Sequence, residues 1–208
     1  MSLKASIILA TFDWPEALAM VLAALQTQTE KSFEVMIADD GSDEKTRKII
    51  EEYKRFYPIQ HFWQEHKGFR KSRILNQAIM AAEGETLIFL DGDCVPHKDF
   101  VREHVRIQDP EHYVCGRRID LSKEYTAQLG TKEILAGRLN GESFMDYARL
   151  FLDSLKENGS KPFHRSYVVR TPLICKICGM DKVVDLKGCN FSVSRNHMMA
   201  IDGFDESY

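Results

Sequence analysis

Residues Glu83 to Pro96 read Glu-Gly-Glu-Thr-Leu-Ile-Phe-Leu-Asp-Gly-Asp-Cys-Val-Pro, and the fold turns on this stretch. Thr86, Leu87, Ile88, Phe89 and Leu90 form a run of strand length, almost wholly apolar, which suits a strand buried on both faces of a mostly parallel sheet. The run stops at two carboxylates, Asp91 and Asp93, on either side of Gly92. At strand spacing both acids leave the same face, and the glycine lets the backbone turn and approach a ligand closely. Ligands of α/β sheets sit beyond the carboxyl ends of strands. Two acids placed there can hold a hard divalent cation, whose remaining positions suit phosphate oxygens. Taken alone, Asp-x-Asp is more often an acidic turn after a core strand, so the flanking chain has to decide.

Working upstream, the same grammar repeats. Ala5 to Ala10 reads as a first strand, Pro15 opens a helix with Leu18, Val21, Leu22 and Leu25 on one stripe, and Phe33 to Ala38 reads as a second strand. That strand ends at Asp39-Asp40-Gly41-Ser42-Asp43, where Ser42 or Asp43 caps a helix carrying Ile49, Ile50 and Tyr53. Ile59 to Trp63 is a third strand, and His66-Lys67-Gly68-Phe69-Arg70 leads into a helix with Ile74, Leu75, Ala78, Ile79 and Ala82. This β-α-β-α-β-α-β order calls for a parallel sheet covered on both faces, with its loops gathered at one edge. No Gly-x-Gly-x-x-Gly follows the first strand, which counts against a dinucleotide-binding oxidoreductase.

Downstream, Lys98 to Gln108 reads as a helix, Tyr113 to Ile119 as a strand, Cys189 to Ser194 as a short strand and Arg195 to Ile201 as a helix. Leu121 to Gly159, broken by Gly130, Gly137 and Gly141, suggests short helices in an insertion. The 208 residues are 44% hydrophobic and 28% charged, which fits one globular domain with a real core. A net charge of -3 gives no electrostatic case for a nucleic-acid partner. No run is long enough to span a bilayer and the start shows no signal-peptide pattern. The five cysteines do not pattern as a disulfide framework, so a cytoplasmic location is expected, with peripheral membrane association left open.

Five segments, in order, resemble the inverting glycosyltransferases of family 2 with the GT-A fold. They are Ser6 to Asp13, Ala38 to Ser42, Gly68-Phe69-Arg70 through Asn76-Gln77-Ala78, Phe89 to Asp93, and Gly188-Cys189-Asn190-Phe191 through Gly203-Phe204-Asp205-Glu206. The Gly-Phe-Arg loop and the terminal Gly-Phe-Asp-Glu are most similar to bacterial chondroitin-polymerase-like and galactosyltransferase-like members. The resemblance implies an α/β fold of GT-A (nucleotide-diphospho-sugar transferase) type, a Rossmann-like, mostly parallel sheet sandwiched by helices. It implies one domain, with residues 1–97 binding the nucleotide and residues 98–208 facing donor sugar and acceptor. The reaction implied is metal-dependent, inverting transfer of a sugar from a nucleotide-diphospho-sugar, UDP-linked by expectation, to a saccharide or glycan acceptor.

Position by position, the resemblance puts Thr11, Phe12 and Asp40 at the uracil and ribose, with Asp13 replacing the family's usual asparagine. A carboxylate accepts a hydrogen bond from an imide N–H, and an aromatic ring packs on a base. Arg70 is implied near the base, where its guanidinium would orient Asp40. Asp93 chiefly, with Asp91, is implied as ligand to Mg²⁺ or Mn²⁺, and Asp91 also reaches the ribose or donor sugar. Gly188 and Asn190 are implied to line the donor-sugar pocket.

The family's general base is the aspartate of a Gly-x-Glu-Asp stretch shortly after Gly-Phe-Asp-Glu, and this sequence stops at Ser207-Tyr208 without a match. Asp205 and Glu206 align with the Asp-Glu that precedes it. The expectation is a chain truncated on its acceptor side, whose alternative reading is a non-catalytic nucleotide-sugar-binding fragment. A sugar-1-phosphate nucleotidyltransferase is a further alternative, disfavoured because Thr11 to Glu16 holds no Gly-rich phosphate loop. Cys175, Cys178, Cys189 and His197 make up four zinc ligands in number, set against a reading as buried thiols. His61, His66, His97, His104 and His112 show no ligand spacing and read as surface or satisfied core groups. Phe62-Trp63 reads as strand core.

Overall fold

The computed structural model describes residues 3–140, 143–160, 186 and 188–207. Its strands are β1 (Ala5–Thr11), β2 (Phe33–Asp39), β3 (Ile59–Trp63), β4 (Thr86–Asp91), β5 (Val114–Cys115) and β6 (Asn190–Ser194). Its helices are α1 (Pro15–Gln26), α2 (Glu44–Tyr53), α3 (Lys71–Ala81), α4 (Phe100–Ile107), α5 (Lys123–Thr126), α6 (Thr131–Leu135), α7 (Phe144–Ser154) and α8 (Arg195–Ala200). The described strands form one sheet in the order β3-β2-β1-β4-β6-β5. β1 pairs in parallel with β2 and β4, and β2 with β3, as the β-α alternation requires. β6 runs antiparallel to β4, a direction the sequence left undetermined.

Alternation along the strands assigns the helices to faces. Ile7, Leu9, Val35, Ile37, Ile88 and Leu90 share a buried cluster with Leu18, Val21, Leu22 and Leu25 of α1, Ile50 of α2 and Val101 of α4. The intervening Ile8, Met36 and Phe89 are also buried, and α3, with Ile74, Ala78 and Ile79 inside, packs on β1, β2 and β3. Helices therefore cover both faces. On the α3 face Phe89 stacks on Phe191 of β6 at 4.4 Å and meets the edge of Phe204 at 5.4 Å, which ties the end of the chain to its central strand. Full burial of side chains of this size contributes about 1.5–3 kcal/mol each.

Several elements differ from the sequence reading. The strand expected over Tyr113 to Ile119 shrinks to Val114–Cys115, because Arg117, Arg118 and Asp120 leave no alternating apolar face. Trp63 is not core: β3 is the sheet edge, and the indole is 54% exposed while its N–H donates to the Ser42 carbonyl. Asp43, not Ser42, caps α2, accepting from the N–H groups of Lys45 and Thr46.

The chain divides into two compact units, Met1–Val114 with Gly188–Tyr208, and Cys115–Lys187. The described part of the second holds α5, α6 and α7, the short helices expected there. Its polar centre is Asp153, buried at 5% exposure, which accepts from Ser122 Oγ at 2.9 Å and from the Ser160 backbone N–H and hydroxyl at 2.9 and 2.6 Å. Burial raises the Asp153 pKa, but these donors and Lys156 outweigh it and hold the carboxyl down at about 2.

Candidate functional site

The parallel strands β1, β2 and β4 end level with one another. Thr11 pairs with Asp39 and Ala10 with Asp91, while β6, running the other way, begins at Asn190 opposite Leu90. Thr11, Asp40, Asp91 and Asn190 thus meet at one edge of the sheet, contributed by four strand ends. The Asp40 N–H donates to the Thr11 carbonyl at 3.1 Å and the Gly92 N–H to the Ala10 carbonyl at 2.7 Å, fastening the loops to β1. A Cβ on Gly92 would lie 3.0 Å from the Ala10 carbonyl oxygen and 3.1 Å from Thr11 Oγ1, so a larger residue would have to push β1 back by a few tenths of an ångström.

Adjacent aspartates divide the work of the β2 loop. Asp39, 1% exposed, accepts from the N–H groups of Gly41 and Ser42 at 3.2 and 2.8 Å and bonds His61 Nε2 at 2.9 Å. Burial raises its pKa, but His61 and Ser42 outweigh this, so the carboxyl titrates below its ordinary value. Asp40 instead faces the rim. Its Oδ1 accepts from the Gln64 amide and its Oδ2 bonds His66 Nδ1 at 3.0 Å. The His66 ring in turn stacks on Phe12, with centroids 4.4 Å apart, and Phe12 remains 51% exposed. Gly41 at φ 105 makes this possible: a Cβ there would lie 2.6 Å from the His66 backbone nitrogen.

Arg70 departs from its expected place. It does not bond Asp40; a guanidinium Nη donates to the Glu65 carbonyl, and the Arg70 carbonyl accepts from Gln64 Nε2 at 3.1 Å. Arg70 is therefore linked to Asp40 through Gln64, because its guanidinium is turned onto the Glu65 carbonyl of its own loop rather than onto the carboxylate. Asp91 and Asp93 also differ from the strand-spacing expectation. β4 stops at Asp91, and the Cys94 N–H bonds the Asp91 carbonyl at 3.0 Å, so a turn rather than a pleat separates the acids. Asp91 Oδ1 is held by the Lys71 ammonium at 2.6 Å. Asp93 is exposed and accepts from the Cys94 thiol at 3.4 Å. Burial, then Asp93 and Cys189, push the Cys94 pKa well up, so it stays a thiol.

At the β6 end, Asn190 Oδ1 accepts from His104 Nε2 at 3.1 Å, and His104 Nδ1 lies 2.8 Å from Ser192 Oγ. Burial drives the His104 pKa down to about 4, partly opposed by Asn190, so a neutral imidazole orients the asparagine. Gly188 is exposed with nothing within 4 Å of a Cβ placed there, so the surrounding structure does not demand glycine. Asp205 accepts from the Ser207 N–H at 2.8 Å in a local turn, and Glu206 accepts from Asn76 Nδ2 of α3 at 2.9 Å. Of the zinc reading, Cys175 and Cys178 lie outside the described residues. Cys189 is buried, and His197 Nδ1 bonds the Pro110 carbonyl at 3.1 Å.

Gln64, His66, Lys71 and His61 were missed as site residues. Three of them flank the Gly68-Phe69-Arg70 motif, and that proximity was the available signal. Among the described residues no group of three or more His, Cys, Asp or Glu gathers to hold a metal. What the rim offers a divalent cation is an exposed carboxylate, Asp93, and a second one, Asp91, whose side chain is 30% exposed beside the Lys71 ammonium. This hard-oxygen set fits Mg²⁺ or Mn²⁺, with the rest of the shell left to diphosphate and water.

An uncharacterized glycosyltransferase of Bacillus subtilis (strain 168), YfnE, is 31% identical over 98% of this chain and 56% of its own length. The hyaluronan synthase of Pasteurella multocida is 34% identical over 54% of this chain and 12% of its own, and the chondroitin synthase of Escherichia coli 30% over 62% and 20%. The chain thus spans about half the length of the first of these curated relatives and far less of the other two. A mannosyltransferase from Pyrobaculum calidifontis, solved with GDP-Man and Mn²⁺, superposes with a TM-score of 0.60 over the whole of this chain and 49% of its own, at 15% identity, and so shares the GT-A fold. The sequence profile described as glycosyl transferase family 2 matches residues 6–165, well over half of the chain, and the protein belongs to that family.

Proposed function

We propose that this rim binds a nucleotide-diphospho-sugar with uridine as its base, and that the protein is the donor-binding part of an enzyme that transfers the sugar, with inversion, to a saccharide or glycan acceptor. The observation that carries the reading is the meeting of Thr11, Asp40, Asp91 and Asn190 at one sheet edge. Family membership and the kinship to synthases of hyaluronan and chondroitin support it.

Asp40, oriented by Gln64 and His66, accepts the uracil imide N–H, and the exposed Phe12 ring packs on the base. Thr11 supports Asp40 through its carbonyl. Arg70 braces the same pocket from behind, through Gln64. Asp91 accepts a ribose or sugar hydroxyl, and Asn190 and Gly188 border the donor sugar. Asp93, with Asp91, would hold Mg²⁺ or Mn²⁺, which when bound supplies Lewis-acid stabilisation of the charge on the departing nucleotide diphosphate. The acceptor hydroxyl approaches the opposite face of the anomeric carbon, through an oxocarbenium-like state. Asp205 and Glu206 are spent on structural hydrogen bonds, and neither is assigned as the base. No described helix is long and apolar enough to cross a membrane. Among the described residues no cysteine is in a disulfide, which fits a reducing, cytoplasmic setting.

A thermal-stabilisation screen of UDP-, GDP- and dTDP-sugars with Mn²⁺ tests the reading. Stabilisation led by UDP-sugars is expected; no stabilisation by any of them, or a lead by GDP-sugars, contradicts it.

A further inference from the structure

Lys71 is the first helical residue of α3, and its ammonium lies 2.6 Å from Asp91 Oδ1, with both side chains about one-third exposed at 35% and 30%. Among the described residues no other cation is paired with Asp91 or Asp93. The ammonium neutralises Asp91, whose carboxylate stands two positions before the exposed Asp93. Lysine is suited to that task and to letting go of it, being a compact charge on a flexible four-carbon stem.

We propose that Lys71 is a built-in counter-ion: it occupies Asp91 while the rim is empty, and on donor binding transfers its charge to the diphosphate. The inference rests on the donor-site reading above and adds to it a residue with two successive partners. A divalent cation arriving alone has to share Asp91 with the ammonium, so Lys71 acts against it. A nucleotide diphosphate gains the ammonium as a further donor, so Lys71 acts for it. Removing the charge therefore shifts the two affinities in opposite directions. A lysine that merely tied α3 to β4 would shift both the same way, together with stability.

The test uses the 208-residue chain and its Lys71→Met, Lys71→Gln and Lys71→Arg variants. Binding of Mn²⁺ alone is read from the electron paramagnetic resonance of the free aquo ion, and binding of UDP at saturating Mn²⁺ by calorimetry. Each neutral variant should bind Mn²⁺ alone about 2- to 5-fold more tightly and UDP about 5- to 10-fold more weakly. Lys71→Arg should stay near wild type in both. Loss of both affinities together, or no change in either, in a variant that melts at the wild-type temperature overturns the inference and leaves the donor site standing. A wild-type chain that binds neither Mn²⁺ nor UDP overturns both.

Discussion

Asp39 and Asp40 are chemically identical neighbours with separate tasks, and their substitutions should part accordingly. Asp39→Asn keeps an oxygen for the Gly41 and Ser42 N–H groups but puts an amide NH2 where Oδ2 meets His61 in a buried site, and should lower stability by about 1–3 kcal/mol in urea unfolding. Asp40→Asn should leave stability within about 1 kcal/mol, since the side chain sits at the rim, and reduce UDP affinity about tenfold or more. Acid should also act through single residues. His104 has a folded pKa of about 4 against 6.5 unfolded, so the unfolded chain takes up a proton that the folded one refuses. Stability should then fall by roughly 3 kcal/mol as pH drops from 6.5 to 4, and a His104→Gln variant should lose that slope. Asp39 and Asp153, whose folded pKa values are depressed, contribute fully above their unfolded value of 3.8 and lose that contribution only below it, which keeps the windows apart. Asp40 was legible from its motif because a turn after a strand is written in consecutive residues. Its partner His66 was not, being 26 positions away and brought in by the pairing of β2 with β3.

The elements β1, α1, β2, α2, β3, α3 and β4 were legible nearly to their ends, since each carries its own periodicity and punctuation. Pro15 starts α1, and the acidic Asp39–Asp43 segment stops β2. β5 and the direction of β6 were not, because a strand's partner depends on contacts distant in sequence. The turn joining β2 to α2 is the element on which the site's geometry depends most. Gly41→Ala forces a side chain into φ 105 and against the His66 main chain. It should destabilise the protein by about 1–3 kcal/mol in urea unfolding, and should weaken UDP binding as well, since the same clash displaces His66 from Asp40 and Phe12.

Across the whole molecule, the strand-helix alternation up to β4 was enough to read a parallel sheet covered on both faces, whereas the order of its strands was not legible and the residues from Cys115 onward carry no such repeat. The rim is a product of that order: strands far apart in sequence deliver Thr11, Asp40, Asp91 and Asn190 to one edge. A ligand that binds there stabilises the entire chain, so at 100 times its dissociation constant UDP with Mn²⁺ should add about 2.7 kcal/mol and raise the melting temperature by about 5–10 °C. The claim that an acid pair at this edge recruits a cation to grip a diphosphate is tested most directly by calorimetric titration of UDP into the wild-type chain and Asp93→Ala, with and without Mn²⁺. Wild type should bind UDP only weakly unless Mn²⁺ is present, and Asp93→Ala should lose the metal-dependent gain; equal UDP affinity in the two proteins with Mn²⁺ present would contradict the account.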